Sequence, residues 1–351
     1  MKDGQVIKAA VAGKRTERLP FMPISMCIAA DGIGAKYRDY AMDWRLLARG
    51  QLAFAEAFGA DHVSAISDPC VEASDLGASI VAPEDQPPGY DEAQSLLADK
   101  SAFRLLVSPG GRGAARLGPS SIVAGPRMEN RLRAVRELAL QAGEDLLVEG
   151  WVEGPCAESA DLRGLTRLML DFYDDPDFVH ELVAFVAQLE TAFALAQVSE
   201  GADIVGVGDA ASSLVGPEIF AEFFLDAHRA YVEAIHGAGA LARLHICGNS
   251  SPLLSLVRDL GYDIVDLDFM VDMAEARSAL GARPALCGNL DPVRLVKDGS
   301  AEAVRERLGR IEAALSGSPW IVGAGCEIPR GTSAANILAM RDFAHRETSS
   351  P

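Results

Sequence analysis

The stretch of sequence that decides the fold runs from Asp203 to Cys247 and reads DIVGVGDAASSLVGPEIFAEFFLDAHRAYVEAIHGAGALARLHIC. It begins with the apolar run Asp203–Gly208 and ends with the apolar run Ala242–Cys247, each about as long as a β-strand. Between them, Pro217 opens a segment that carries aromatic residues at helical spacing. A crossover of a dozen or more residues joins parallel strands, so the stretch predicts a β–α–β unit.

The same alternation extends in both directions along the chain. Eight apolar runs have the length of a strand: Phe21–Cys27, His62–Ser67, Leu146–Glu153, Asp203–Gly208, Ala242–Cys247, Asp263–Phe269, Pro284–Gly288 and Trp320–Ala324. Eight strands that alternate with helices fit either an open, doubly wound sheet or a closed (β/α)8 barrel. The count of strands and the length of the chain favour an α/β fold of the TIM-barrel type.

The parts of the chain outside this pattern define the expected domain organisation. Residues 1–18 precede the first predicted strand and are interpreted as an N-terminal arm, and residues 19–345 as a single barrel domain. The stretch Pro87–Gly143 fits the alternation poorly, so we interpret it as an elaboration between the second and third strands. The sequence has neither an internal repeat nor a low-complexity linker that would divide it further.

The composition argues against several classes of protein. The 351 residues include 32 Lys and Arg against 50 Asp and Glu, a net charge of −18 without a basic run, which disfavours nucleic-acid binding. No apolar stretch reaches the roughly 18 residues of a membrane span, and residues 1–20 lack the apolar segment of a secretory signal. We therefore expect a cytoplasmic protein, whose six cysteines are core residues, reactive thiols or metal ligands rather than disulfides.

One histidine and two cysteines form the pattern that points most directly to chemistry. Residues two apart in a strand face the same side, so His245 and Cys247 project together from the end of the fifth predicted strand. Cys326 follows the last predicted strand, and in a parallel barrel all these strand ends meet at one rim. Such a set binds catalytic zinc and leaves a fourth position open. The alternative is a buried histidine with two core cysteines, but the convergence of all three favours zinc.

A second pattern is weaker. Gly206–Ala211 matches the G-x-G-x-x-A motif of dinucleotide-binding folds. In those folds the helix begins inside the motif, whereas the helical pattern here begins only at Pro217. We interpret the segment as a barrel loop in which Asp209 is a candidate to face the pocket and bind a polar group of a substrate.

Several segments resemble the uroporphyrinogen decarboxylase superfamily, and more specifically its zinc-dependent corrinoid methyltransferase branch. They are His245–Asn249 (HICGN), Cys287–Pro292 (CGNLDP), Gly325–Pro329 (GCEIP), Glu149–Pro155 (EGWVEGP) and Phe58–Asp68 (FGADHVSAISD). The resemblance extends from about Arg18 to Asn336. It implies a (β/α)8 barrel with an N-terminal extension and an enzyme that moves methyl groups between a corrinoid protein and a small donor or acceptor, such as a methyl ether or the thiol coenzyme M.

The resemblance also implies a set of site residues. The zinc ligands fall at His245, Cys247 and Cys326, with Glu153 as an exchangeable fourth ligand; the alternative for Glu153 is a carboxylate that accepts backbone hydrogen bonds from a loop. Glu153 and Asp68 are candidate catalytic residues by this resemblance, and Asp209 is a third candidate because of its place in the loop after the fourth predicted strand. The cofactors are Zn²⁺ and a corrinoid of the methylcobalamin type, supplied by a partner protein because the chain lacks an Asp-x-His-x-x-Gly motif.

Two other functions stay open at this point. The first is a metal-free tetrapyrrole decarboxylase, since Asp68 falls where decarboxylases keep a pyrrole-binding aspartate. Against it, the segment Ile24–Gly32 lacks the arginines that a substrate with many carboxylates requires, and Asp68 alternatively is a strand-end aspartate held by its own loop. The second is a non-catalytic barrel that binds zinc or a small ligand. Neither nucleic acid nor a membrane is an expected partner, and the oligomeric state, a homodimer included, is left open.

Overall fold

A curled sheet of seven parallel strands forms the centre of the computed structural model, which describes residues 3–14, 16–118, 122–143, 145–315, 317–318 and 320–346. The strands are β1 His62–Ser64, β4 Leu147–Glu153, β5 Ile204–Gly208, β6 Leu241–Ile246, β7 Ile264–Leu267, β8 Ala285–Gly288 and β9 Trp320–Ile321, and they are neighbours in that order. A separate antiparallel pair consists of β2 Ile80–Val81 and β3 Gly89–Tyr90. The expected α/β barrel architecture is thereby confirmed.

The segment around Phe21 joins the two edges of this sheet. Phe21 forms a parallel bridge with Val322, just beyond β9, and its carbonyl accepts a hydrogen bond from the backbone N–H of Asp61, just before β1. The prediction of a regular strand over Phe21–Cys27 is nevertheless wrong. Cys27 begins a helix, because its backbone N–H donates to the carboxylate of Glu327 (2.5 Å) rather than to a neighbouring strand.

Helices surround the sheet and fill the loops between strands. They are α1 Asp3–Val11, α2 Cys27–Gly32, α3 Tyr37–Met42, α4 Trp44–Phe58, α5 Val71–Leu76, α6 Ser101–Val107, α7 Arg112–Arg116, α8 Pro126–Ala142, α9 Pro155–Arg163, α10 Leu165–Asp174, α11 Pro176–Ser199, α12 Pro217–Ile219, α13 Leu225–Gly237, α14 Leu254–Arg258, α15 Met273–Leu280, α16 Ala301–Leu315 and α17 Ala334–His345. Short 3₁₀ turns lie at Glu92–Gln94, Ala210–Leu214 and Ser251–Leu253, and π-helical turns at Phe220–Phe224 and Pro292–Lys297. The predicted elaboration Pro87–Gly143 holds β3 and α6 to α8, between β1 and β4.

The ends of two helices follow from local sequence. The carboxylate of Asp43 accepts the backbone N–H of Arg45 at the start of α4, and Gly59 ends that helix with a φ of 66°. Asp175 accepts the backbone N–H of Phe178 at the start of α11, where Pro176 occupies the first turn. Both arrangements satisfy backbone groups that a helix end leaves without partners.

One helix corrects an expectation about membrane spans. Helix α11 has 24 residues, and its most apolar 18-residue window has a mean hydropathy of 1.5, so by length and composition it could cross a membrane. The expectation that no apolar stretch reaches this length is therefore wrong. In the structure 50% of that window is buried, and the helix packs against β4, α9 and α13, as a core helix does.

The interior of the barrel is apolar at one end and charged in the middle. At the amino-terminal end of the strands, Leu147, Ile204 and Ile264 pack with Ile7 and Val11 of α1, which covers this end. The division of the chain into an arm of residues 1–18 and a domain of residues 19–345 stays a prediction. The carboxyl ends of the strands, at the opposite rim, hold the side chains described next.

Candidate metal centre and adjoining cavity

Three predicted ligands meet at the carboxyl-terminal rim. The His245 Nε2 atom lies 3.0 Å from the Cys247 sulfur and 3.8 Å from the Cys326 sulfur, and the two sulfur atoms are 3.5 Å apart. The three donor atoms all lie within 4.8 Å of one another and could hold one metal ion. We call these three residues the metal cluster. The strand alternation that predicts His245 and Cys247 on one face holds, since both project from the end of β6.

The loop after β9 brings Cys326 to this position. The backbone N–H of Gly325 donates to the carbonyl of Leu290, and the loop passes close to the backbone at Phe269. A Cβ atom at Gly325 would lie 2.6 Å from the Phe269 nitrogen, so a larger residue would push the loop away. The glycine before Cys326 therefore sets how closely the thiol approaches β6.

Asp266 on β7 orients the histidine. Its Oδ2 atom lies 3.0 Å from His245 Nδ1 and also accepts from the guanidinium of Arg243 at 2.8 Å. With Nδ1 bound to a carboxylate, Nε2 is left to face the two thiols. This is the arrangement that fixes the ring of a metal-binding histidine and raises its basicity.

The pKa values of Cys326 and His245 are shifted in opposite directions. The hydrogen bond from Cys247 and the charge of His245 lower the pKa of Cys326 to about 4, although burial opposes this. Burial would lower the pKa of His245, but Asp266 and Cys326 raise it to about 10. Both shifts favour the thiolate form of Cys326, and the thiolate is the form that binds a metal.

The donor set fits zinc. A tetrahedral zinc ion with bonds of about 2.3 Å to sulfur and about 2.0–2.1 Å to nitrogen places two sulfur atoms about 3.8 Å apart and sulfur and nitrogen about 3.6 Å apart. The sulfur–sulfur distance of 3.5 Å and the sulfur–nitrogen distances of 3.0 and 3.8 Å lie close to these values. The three residues could hold such an ion with one position left for a further ligand.

A cavity of about 540 Å³ opens beside the cluster. Cys247 and Gly248 form one part of its wall, and Glu153 at the end of β4 forms another. The remaining wall comes from α9, the loop after β5 and the segment near Tyr90. A small molecule in this cavity would lie against Cys247 of the metal cluster.

Glu153 lies at the rim, as expected, but outside the three-residue cluster. Its Cα pairs with that of Gly208, which in turn pairs with His245, so these residues lie at one level of the barrel. Its side chain is buried, with 6% exposed, and burial together with the charge of Glu72 raises its pKa well above the usual range. Its roles as fourth ligand and catalytic residue stay predictions.

Asp68 is held by its surroundings. One carboxylate oxygen accepts from the guanidinium of Arg127 and the hydroxyl of Ser67, both at 2.6 Å, and the other accepts from the backbone N–H of Cys70 at 3.1 Å. The residue does not contribute to the wall of the cavity. These contacts match the alternative interpretation of a strand-end aspartate tied to its own loop.

Asp209 is also placed differently from the expectation that it faces the pocket. It is fully buried under the loop after β5, where its carboxylate accepts from the backbone N–H of Ala157 at 2.7 Å, contacts His228 Nε2 at 3.0 Å and accepts from Ser212. The carboxylate thus joins α9, α13 and the loop. The reason is that the backbone at Ala157 and the ring of His228 both need a buried acceptor.

The two glycines of the G-x-G-x-x-A pattern are required by the packing of a neighbouring side chain. Gly206 and Gly208 lie in β5 against the ring of Trp151, and a Cβ atom at Gly206 would come within 2.2 Å of that ring. The indole side chain from β4, rather than a pyrophosphate, therefore requires glycine here. The interpretation as part of a barrel rather than a dinucleotide site agrees with this packing.

Two residues that hold the cluster and its loop in place are absent from the sequence-based expectations. Asp266 binds His245, and Asp268 accepts the backbone N–H of Gly248 at 3.0 Å and so holds the loop that follows Cys247. Both interrupt the apolar sequence run Asp263–Phe269, Asp266 within β7 and Asp268 just after it, and a spacing of two places them on one face. Charged residues at this spacing inside a buried strand are the signal that would have identified them.

Part of this chain is similar in sequence to methyltransferases and to uroporphyrinogen decarboxylases. Over 220 residues, 62% of this chain, it is 29% identical to the methylcobamide:CoM methyltransferase MtbA of Methanosarcina mazei, and the match spans 63% of that relative. It is 32% identical over 211 residues to a uroporphyrinogen decarboxylase of Thioalkalivibrio sulfidiphilus, covering 57% of this chain and 55% of the relative. The chain thus spans less than two thirds of the length of either protein.

A solved structure and a family model extend the match to the whole barrel. The structure of a methyltransferase from Methanosarcina mazei superposes with a TM-score of 0.80 over 97% of this chain and 98% of the other, at 21% identity, which establishes the shared fold. The uroporphyrinogen decarboxylase (URO-D) family model matches residues 3–347. Since that match takes in every barrel strand and the rim that carries His245, Cys247 and Cys326, the chain belongs to the uroporphyrinogen decarboxylase family.

Proposed function

We propose that this protein is a zinc-dependent methyltransferase, which moves a methyl group between a small substrate and the cobalt of a separate corrinoid protein. The observation that carries the proposal is the convergence of His245, Cys247 and Cys326, of which Cys247 also lines the adjoining cavity. The similarity to a relative named methylcobamide:CoM methyltransferase supports it. The free state of all six cysteines agrees with a cytoplasmic location.

The chain's own residues would prepare the reaction in three ways. Zinc, when bound, acts as a Lewis acid on the sulfur, oxygen or nitrogen that gains or loses the methyl group. Asp266 would keep His245 Nε2 oriented toward the ion, and Cys247 and Cys326 would hold the ion as thiolates. The cavity wall beside Cys247 would hold the small substrate next to the metal cluster and shield it from water.

A decarboxylase function receives less support. Asp68 is paired with Arg127, and the described residues that line the cavity include no arginine or lysine to bind a substrate with many carboxylates. The zinc-type donor set of His245, Cys247 and Cys326 has no role in a metal-free decarboxylase. A non-catalytic barrel would contain zinc but would transfer no methyl group in the assay described below.

The carboxyl-terminal rim of the barrel carries exposed apolar side chains suited to a protein partner. Leu214 follows β5, Phe269 and Met270 follow β7, and Val293 follows β8, and each has 38–63% of its surface exposed. Exposed apolar groups that surround a functional opening mark protein interaction sites. A corrinoid protein that docks here would place its cobalt above the metal cluster.

The purified protein is expected to catalyse methyl transfer and to contain about one zinc ion per chain. The assay mixes it anaerobically with methylcobalamin and a thiol, or with cob(I)alamin and a methylated substrate, and follows the cobalt absorbance. Metal analysis of the same sample gives the zinc content. Full activity in a zinc-free sample would contradict the proposal, and so would the absence of transfer with thiols, ethers and methylated amines alike.

Substitution of Met270 by glutamate is expected to weaken the binding of the corrinoid protein and to leave the methyl-transfer chemistry unchanged. A charge in the apolar rim should raise the KM for the methylated corrinoid protein by about tenfold. Transfer from free methylcobalamin should be unchanged, because the cavity and the metal cluster are intact. Leu140→Glu, on the outer face of α8 and 74% exposed, is the matched control and should leave both reactions unaltered. Equal loss with both corrinoid forms would show that Met270 does not act in docking.

A further inference from the structure

The side chains around the cavity carry no positive charge. Among the described residues of its wall, none is a lysine, an arginine or a histidine. The carboxylate of Glu92 accepts the backbone N–H of Thr166 at 2.8 Å, which lowers the pKa of Glu92 and keeps it ionised. Burial and the charge of Glu72 raise the pKa of Asp161 and so favour its uncharged form. A sulfonate or carboxylate on a substrate would therefore find no cation here to offset its loss of hydration.

The hydrogen-bond donors of the wall already have acceptors within the protein. The hydroxyl groups of Tyr90, Ser95 and Ser213 each donate to a backbone carbonyl, at 2.8, 2.6 and 2.8 Å. Two backbone N–H groups are occupied as well, since Ala157 and Gly248 donate to buried carboxylates. An anionic group that leaves water needs donors as well as a cation. These five groups are satisfied without a ligand, so an anion would gain no donor from them.

The rest of the wall is apolar and consists mainly of small residues. Leu165 and Leu214 supply branched side chains, and the alanines at 157, 160, 210 and 211 leave room between them. The volume of about 540 Å³ exceeds the roughly 150 Å³ of an apolar cavity that accommodates benzene. An apolar body as large as a substituted ring would fit here, and it would be stabilised by leaving water for this surface.

The reactive atom of a substrate in this cavity would lie close to the metal cluster. Cys247 belongs to the same wall, and a Cβ atom on the next residue, Gly248, would lie 3.2 Å from the hydroxyl oxygen of Ser213 across the cavity wall. A zinc ion acts on an atom that offers it a lone pair, as the sulfur of a thioether or the oxygen of an ether does. Such an atom on an uncharged body satisfies both the metal and the wall.

We propose that the cavity beside Cys247 binds an uncharged methyl thioether or methyl ether with an apolar body, as the methyl donor. The inference rests on the proposed function and adds to it the charge and polarity of the substrate. In the transfer, the bond between the methyl carbon and sulfur or oxygen breaks. A carbon–cobalt bond forms with an electron pair of cobalt(I), supplied by the corrinoid partner, and the cobalt becomes cobalt(III). The leaving sulfur or oxygen keeps the electron pair of the broken bond and takes a proton from water.

The test compares two methyl thioethers that differ in the charge of one end. 2-(Methylthio)ethanol and 2-(methylthio)ethanesulfonate are titrated into the zinc-loaded full chain, and the NMR signal of the thioether methyl group reports binding without turnover. The alcohol should bind at least about fivefold more tightly than the sulfonate, and (methylthio)benzene at least about tenfold more tightly. Binding of the sulfonate that equals or exceeds that of either uncharged ligand would overturn the inference.

A pair of lysine variants tests the cause of this preference. Ser213→Lys places an ammonium group in the wall, so it should strengthen sulfonate binding about tenfold and leave the alcohol nearly unchanged. Ser199→Lys is the matched control and should alter neither affinity. Ser199 is exposed outside the cavity, and its hydroxyl also donates to the carbonyl three residues earlier. Unchanged sulfonate binding in a folded Ser213→Lys protein would contradict the inference, and the comparison of ligands in the parent protein does not depend on this variant.

The methyl-transfer assay distinguishes a failure of this inference from a failure of the proposed function. Methoxybenzene and (methylthio)benzene are supplied separately with cob(I)alamin, and demethylation of either one supports the inference and identifies the heteroatom. Methyl transfer from anionic substrates alone would refute this inference and leave the proposed function in place. Binding of the uncharged ligands without transfer from any methyl compound would refute the proposed function, while the preference of the cavity for uncharged ligands would stand.

Discussion

Substitution of Cys326 by serine is expected to lower methyl transfer by about three orders of magnitude and to reduce bound zinc to well below one ion per chain. A serine hydroxyl is a poor zinc ligand next to a thiolate. Loss of the metal removes roughly 4 kcal/mol of stabilisation of the reacting heteroatom, and each 1.36 kcal/mol corresponds to about a tenfold change in rate. Zinc analysis and the anaerobic cobalamin assay measure the two effects.

Two further variants serve as controls for this result. Cys70→Ser makes the same chemical change at a buried thiol outside the metal cluster and should retain the zinc. Asp266→Asn should lower zinc affinity by about 10–100-fold, since it weakens the group that orients His245 and leaves every ligand in place. A Cys326→Ser protein with normal zinc content and normal activity would show that the cluster is not the metal site.

The predictable part of the site depends on strand geometry. The period of two along β6 places His245 and Cys247 on one face, and the parallel topology brings the loop with Cys326 to the same rim, 79 positions away in sequence from Cys247. Both rules hold for any barrel of this kind. For that reason sequence alone identified the cluster, although the distances between its donor atoms had to come from the structure.

The unpredicted part depends on packing between distant side chains. Asp209 belongs to the floor of the loop because His228 on α13 and the backbone of Ala157 require an acceptor, and no local pattern reveals those partners. The apolar run from Phe21 to Cys27 looks like a strand by composition, yet only Phe21 bridges Val322 and Cys27 starts a helix against Glu327. Contacts across 300 positions decide that outcome.

The charged layer in the middle of the barrel is a further example, and its energetics are testable. Arg243 is 1% exposed, and its guanidinium lies 2.9 Å from Glu149 and 2.8 Å from Asp266. Three ionised groups in a barrel interior are stable only as a set, because each pays a desolvation cost that its partners offset. Burial would raise the pKa of Asp266, but Arg243 and His245 lower it to about 2.

Substitution of Arg243 by methionine is therefore expected to destabilise the protein by about 3–5 kcal/mol at neutral pH, since it leaves the buried Glu149 and Asp266 without the guanidinium that lies between them. Denaturant unfolding measures the free-energy difference from the parent protein. Arg229→Met, which removes an exposed partner of Asp226, is the control and should change stability by no more than about 1 kcal/mol. A deficit below about 1 kcal/mol for Arg243→Met would contradict the assigned role.

The pH dependence of that deficit identifies its cause. Burial raises the pKa of Glu149, and Arg243 opposes the rise, so the variant should hold Glu149 with a still higher pKa in the folded state. A carboxyl whose pKa is higher in the folded than in the unfolded state favours folding below its unfolded pKa and opposes it as the pH rises. The deficit of Arg243→Met should thus shrink as the pH falls toward about 5, and the double variant with Glu149→Gln should recover part of it at neutral pH. A deficit independent of pH would instead point to lost packing of the arginine side chain.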